Sequence, residues 1–156
     1  MESEIIIRKA RRDDIPFVHA LIRELAEFEE APLEVELTAA QLEQDCFGTK
    51  SIIEIIVADR NGEILGTAMF YEKYSTWKGR GVHLEDFIVK SSERRKGIGK
   101  LLFEEVIRIA KNRNYARMEW QVLDWNASAI SFYKKYNAGL TNEWLDGRLT
   151  RNQIQD

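Results

Sequence analysis

Arg94, Arg95 and Lys96 stand directly before Gly97-Ile98-Gly99-Lys100, so a run of cations leads into two closely spaced glycines. Upstream lies the buried-looking run Leu84-Glu85-Asp86-Phe87-Ile88-Val89, and downstream a strongly periodic helix begins. A strand, a glycine-bearing turn and a helix start, in that order, aim several unpaired backbone N–H groups at whatever sits over the turn. Such a turn is an anion site. Gly97 and Gly99 let backbone approach a ligand without an intervening Cβ, and the cations add charge that backbone dipoles alone do not supply. The expected ligand carries a phosphate or pyrophosphate. Two common phosphate motifs fail on spacing. A Walker A loop needs a glycine further upstream and Ser or Thr after its lysine, whereas Leu101 follows Lys100. A dinucleotide fingerprint needs a small residue three positions after its second glycine, where Leu102 sits. The bland alternative is a helix-starting loop with a solvated basic rim.

The frame that must hold this turn is a chain of 156 residues, 44% of them hydrophobic, enough for one domain with a sizeable core. Net charge is −3 with both signs interspersed, which argues against nucleic acid or a membrane surface and for small-molecule partners. Cys46 is the only cysteine, so no internal disulfide forms, and beside Leu42 on an apolar helix face it reads as a small core residue rather than a nucleophile. Charges interrupt residues 1–10 before any apolar signal core, no apolar run approaches membrane-spanning length, and the expected location is the cytoplasm. His19 and His83, the two histidines, are too far apart to suggest a metal site.

Residues 4–8 read as a short strand through Ile5-Ile6-Ile7. Asp13 or Asp14 can cap a following helix whose face is Ile15, Val18, Ile22, Leu25 and Phe28, and whose end, Glu27-Phe28-Glu29-Glu30, is acidic. A second helix starts at Thr38, with Gln41 completing a capping box, and stops at Gly48. Residues 52–58 and 63–71 are strands joined by a turn carrying Asn61-Gly62. A loop over 74–80 returns the chain to the strand 82–89. The helix behind the basic turn buries Ile98, Leu101, Leu102, Val106, Ile109 and Ala110 and ends near Asn114. The strand expected over 116–123 must lie parallel to 82–89, because a crossover helix separates them. Residues 127–136 make a short helix bearing Tyr133, and 140–149 a last strand-like stretch.

Arg94-x-x-Gly97-x-Gly99 after a strand resembles the acetyl-CoA loop of the GCN5-related N-acetyltransferases, whose pattern is Arg or Gln, two residues, Gly, one residue, Gly or Ala. The order of elements matches that family over nearly the whole chain. Leu84-Glu85-Asp86, Asp124-Trp125-Asn126 and Ser131-Phe132-Tyr133-Lys134-Lys135 resemble its diamine acetyltransferase branch, and Tyr74 to Arg80 looks like the members acting on thialysine. The resemblance implies an α/β (α+β) fold: a mixed, mostly antiparallel sheet with a parallel pair of central strands, flanked by helices. It implies acetyl-CoA as co-substrate, no metal, and a homodimer. It further implies a cofactor site of Phe87, Ile88, Val89, Arg94, Arg95, Lys96, Gly97, Ile98, Gly99, Lys100, Asn126 and Tyr133.

An amine arrives as an ammonium with a pKa of about 10, so it must lose a proton before attacking a thioester, and the departing thiolate must gain one. The resemblance implies Glu85 as the base, acting through water, and Tyr133 as the acid. The competing readings are an edge carboxylate paired with a basic side chain and a half-buried helix aromatic beside Phe132. Asn126 serves equally well as the N-cap of its helix. Phe28 and Glu29 resemble the branch's substrate-binding pair, with acid suited to a cationic amine. Trp77 walls the substrate channel or plugs the core. Polyamine-specific members carry an acid two residues before this tryptophan, where this chain has Ser75, which disfavours spermidine and spermine. The expected function is direct acetyl transfer to a small amine, either a thialysine-like amino acid or a short diamine. The alternatives are acetylation of protein amino termini or lysines, and non-catalytic acyl-CoA binding.

Overall fold

The computed structural model describes residues 3–156. Its contacts divide the chain into a first unit ending at Gln121 and a second spanning Val122–Asp156. In the first, β1 (Ile6–Lys9), β2 (Glu54–Arg60), β3 (Glu63–Ser75), β4 (Gly79–Val89) and β5 (Met118–Trp120) form one sheet in that order. The β1–β2, β2–β3 and β3–β4 pairs are antiparallel and β4–β5 is parallel, as a crossover helix requires. The helices are α1 (Ile15–Phe28), α2 (Ala39–Phe47) and α3 (Ile98–Asn112).

Alternate residues of a strand face opposite sides, so β2 supplies two cores at once. Ile55 and Val57 join Met69 and Ile88 against Ile15, Val18 and Leu21 of α1 and Leu42 of α2. On the other side α3 packs on β3 and β4, and a side chain at Gly66 would meet Leu102 and Ile98. Each fully buried large aliphatic contributes roughly 1.5–3 kcal/mol. The expected stripe of α3 needs one exchange: Phe103 is buried against Phe87 and Trp120, while Leu101 is 42% exposed. Cys46 lies partly buried against the α1–α2 core, and burial followed by the nearby Glu54 pushes its thiol up, away from the thiolate a nucleophile needs.

Local chemistry explains the element ends. Thr38 Oγ1 accepts from Gln41 N at 3.1 Å and caps α2, but Gln41 reaches Asp45 instead of closing the capping box. Asp14 does not cap α1 with its side chain. Its carboxylate accepts from Arg11 N at 2.7 Å and from both terminal nitrogens of Arg8, and so holds the 3-10 turn Arg12–Asp14 before the helix. Asn61 and Gly62 take φ of 52° and 88°, the left-handed pair that a tight hairpin turn demands. The loop expected over 74–80 is largely strand: Tyr74 pairs with Arg80 and Ser75 with Gly79, and only Thr76–Lys78 turn. Ser75 Oγ accepts from the N–H groups of Trp77 and Lys78 there.

In the second unit Asn126 Oδ1 accepts from Ala129 N at 3.2 Å and caps α4 (Ala127–Lys134). The strand expected over 140–149 is not formed. Trp144 and Leu145 are 81% and 96% exposed, and a strand without a ladder partner leaves its backbone groups to water. A short α5 (Arg151–Gln155) closes the described chain, with Thr150 and Gln153 at its start. The expected mixed sheet with flanking helices is therefore present, and β5 stands at one end of the strand order rather than centrally.

Candidate active site

Glu85 owes its position to an irregularity in β4. Met69 pairs with Asp86 and Phe70 with Leu84, which leaves Glu85 as the extra residue of a bulge. Bulges re-aim side chains and recur beside active sites. The Glu85 side chain is 53% exposed, with Oε2 lying 3.3 Å from His83 Nε2.

Asp86, not singled out from the sequence, is the carboxyl that its setting raises furthest. Burial, then Glu85 and Glu29, push its carboxyl up to about 6. Glu29, at the C-terminal end of α1, is itself raised by burial. Three carboxylates from two elements thus share one region, an arrangement that favours a cation. Phe28 is 41% exposed rather than part of the core, and the Arg94 guanidinium lies 5.2 Å above its ring centroid. That contact joins the expected substrate-binding aromatic to the expected cofactor loop. Trp77 is not brought there. It sits 86% exposed at the β3–β4 hairpin tip, about 20 Å along β4 from Glu85 at some 3.3 Å per residue.

The basic turn has the geometry of an anion cradle. Gly97 is the N-cap of α3 with φ of 83°, Arg95 is also left-handed at 65°, and no side chain caps the helix. Left- and right-handed residues in succession turn adjacent N–H groups toward one point. Part of the turn's charge is committed internally. Lys96 Nζ lies 3.1 Å and Arg60 2.7 Å from the buried Glu93, whose carboxyl these two partners hold below its usual range. Arg94 Nε reaches Val89 O at 3.4 Å. Ser91 N donates to Glu24 of α1 at 2.9 Å. The turn is therefore anchored from β2, β4 and α1. Gly99 also faces the sheet: a Cβ there would lie 3.3 Å from Phe87 Cζ and 3.6 Å from Val89 Cγ2, so its bareness lets α3 close on β4. Ile98 is buried and Lys100 exposed.

In the second unit Tyr133 is 6% exposed and meets Phe132 at 5.6 Å, nearly edge-on. Asn126 has its oxygen engaged in capping, which leaves its amide nitrogen for any further contact. Among the described residues no group of three His, Cys, Asp or Glu side chains is placed to hold a metal, and no helix is long and apolar enough to cross a membrane.

These features define a class. Residues 18–138 match the Acetyltransferase (GNAT) family, and the chain belongs to that family. Its activity is that of an acetyl-CoA-dependent acyltransferase. The chain is 35% identical over 161 residues to the thialysine N-epsilon-acetyltransferase of Mus musculus, covering 96% of this chain and 95% of that one. It is also 35% identical to the protein of the same name from Bos taurus, covering 86% and 84%. A solved structure described as a possible acetyltransferase from Clostridium difficile 630 superposes with a TM-score of 0.77 at 22% identity, covering 94% of this chain and 97% of that chain, and shows the shared fold.

Proposed function

We propose that this protein is a single N-acetyltransferase domain that moves the acetyl group of acetyl-CoA directly to the amine of a small cation, a thialysine-like amino acid or a short diamine. The observation that carries the reading is the gathering of Glu29, Asp86 and Glu85 beside Phe28, with Arg94 bridging that group to an uncapped helix start. The relatives named for thialysine acetylation support the same substrate class.

The residues fit the co-substrate. The left-handed Gly97 and the free first turn of α3 suit a pyrophosphate, with Arg94, Arg95, Lys96, Ile98, Gly99 and Lys100 around them and Phe87, Ile88 and Val89 along the adjacent strand. Asn126, with its oxygen capping α4, keeps an amide nitrogen as a donor for a co-substrate. When bound, acetyl-CoA supplies an activated acyl group and a thiolate leaving group. Phe28 and Glu29 hold the ammonium, and Glu85 takes its proton through water. Tyr133, whose phenol O–H is a donor, gives a proton to the sulfur. Trp77, at the hairpin tip, has no part in holding the amine within one chain. The proposal extends to a cytoplasmic homodimer, which fractionation and sedimentation test.

The deciding experiment is thiol release from acetyl-CoA across thialysine, lysine, ornithine, diaminopropane, spermidine, spermine and a lysine peptide. Thialysine and short diamines are expected to exceed spermine by tenfold or more in kcat/KM, the preference that the relatives named for thialysine acetylation suggest and one that a single charge-assisted contact, worth roughly 1.5–3 kcal/mol, is enough to produce. A preference for spermine rejects the substrate class. A preference for the peptide points to protein acetylation, and no turnover on any amine points to acyl-CoA binding alone.

A further inference from the structure

A carboxylate on a bulge, half in solvent, has several rotamers open to it, and a base that wanders is a poor base. His83, two residues before Glu85 on β4, brings Nε2 within 3.3 Å of the Glu85 carboxylate. Its side chain is only 12% exposed, its ring meets Tyr71 at 5.1 Å between centroids, and Tyr71 is its cross-strand partner on β3. On the other flank its parallel-ladder partner is Glu119, which is itself paired with Lys73 at 3.1 Å and with Arg117. The groups facing the imidazole are therefore Glu85, Tyr71, and Glu119 with its own two cations.

The two ring nitrogens differ. Nε2 has the Glu85 carboxylate at 3.3 Å, whereas Nδ1 is buried with no hydrogen-bond partner. A neutral imidazole carries one N–H and one lone pair, and the donor belongs where an acceptor waits. Placing it on Nδ1 would bury an N–H without a partner and leave two acceptors facing each other at Nε2.

We infer that His83 is a positioning residue: its Nε2–H donates to Glu85 and holds that carboxylate in the rotamer that receives the amine's proton. This inference rests on the reading of Glu85 as the base. Tyr71 and the ladder on both sides lock the imidazole plane, so the hydrogen bond has a fixed origin beside a carboxylate that the bulge leaves loosely held.

Two variants and one spectrum test it. His83→Phe keeps a ring against Tyr71 and removes the donor, while His83→Gln offers an amide nitrogen close to the position of Nε2. Loss of one such hydrogen bond is expected to lower kcat about tenfold in His83→Phe, with acetyl-CoA affinity and melting temperature unchanged, and His83→Gln is expected to recover to within about threefold of the parent. Imidazole 15N NMR of the parent, which needs no substrate, is expected to show the Nε2–H tautomer with Nδ1 bare. A proton on Nδ1, an undiminished kcat in His83→Phe, or loss of kcat in step with melting temperature in both variants overturns the inference. Should the parent acetylate no amine, the functional reading fails while the spectrum still decides the tautomer.

Discussion

Tyr133 and Asp86 show how a single group is set to its task by what surrounds it. Tyr133→Phe removes the hydroxyl and keeps the ring against Phe132. The variant is expected to bind acetyl-CoA and melt like the parent while kcat falls by roughly 10²–10⁴, the usual range for losing a general acid. Pre-steady-state thiol release and calorimetry separate the two effects. A drop below about threefold leaves sulfur protonation to water, and a fallen melting temperature makes the hydroxyl structural. Asp86 makes a prediction of opposite sign to the usual carboxylate. The folded state holds its proton more tightly than the unfolded chain does, so the stability it contributes is complete at low pH and lost as pH rises through about 6. Asp86→Asn is expected to raise stability at pH 7 by up to about 3 kcal/mol, the equivalent of a shift of about two units, and to weaken binding of a cationic amine. Chemical denaturation at pH 5 and 7 checks the first part, and amine KM the second.

At the scale of an element, the start of α3 is shaped by two glycines for unlike reasons. Gly97 holds φ of 83°, where an L side chain costs roughly 1–2 kcal/mol, and it lies at the mouth of the anion cradle. Gly99 faces the strand, where a Cβ would press on Phe87, itself packed against Phe103. Gly97→Ala is therefore expected to raise the acetyl-CoA Kd by about tenfold or more at a modest cost in stability. Gly99→Ala is expected to cost about 1–2 kcal/mol through crowding of the helix–sheet contact, with a smaller change in Kd for the protein that remains folded. Paired calorimetry and thermal melts distinguish the two, and equal effects on Kd would place both glycines at the ligand.

Across the whole molecule, acidic residues pull stability in two directions. Burial alone would raise Asp14, but hydrogen bonds from Arg8 and Arg11 bring it below its usual value, and Arg60 and Lys96 do the same for Glu93. Groups lowered in this way contribute stability that is present above their unfolded values, near 4, and is lost as pH falls through the folded ones. Set against Asp86, they predict a stability maximum near pH 5 rather than at neutrality, moving upward in Asp86→Asn; a denaturation series across pH 3–8 reads it. Arg8 is the structural counterpart. It joins Asp14 at 2.7 Å and Asp59 at 3.0 Å with all three side chains mostly buried, tying β1 to β2 and to the turn before α1. Arg8→Met strands two carboxylates and is expected to cost roughly 3 kcal/mol, read as a fall in melting temperature.

What the residues alone determined was local. Apolar spacing gave α1 and α3, Thr38 and Asn126 marked helix starts, Asn61-Gly62 marked a hairpin, and cations before two glycines marked an anion turn, because each signal acts through neighbours along the chain. Hydrogen bonding across space decided the rest. Pairing with β4 turned Tyr74-Ser75 from loop into strand, and the lack of a pairing partner left 140–149 without one. The bulge that sets Glu85 apart exists only as a mismatch between two strands, and neither strand's own alternation records it. Asp86, His83 and the anchoring of Lys96 through Glu93 to Arg60 stayed hidden for the same reason. Burial, charge and hydrogen-bond partners are properties of the packed assembly, and only when β2, β3, β4 and α1 come together do they assign these side chains their roles.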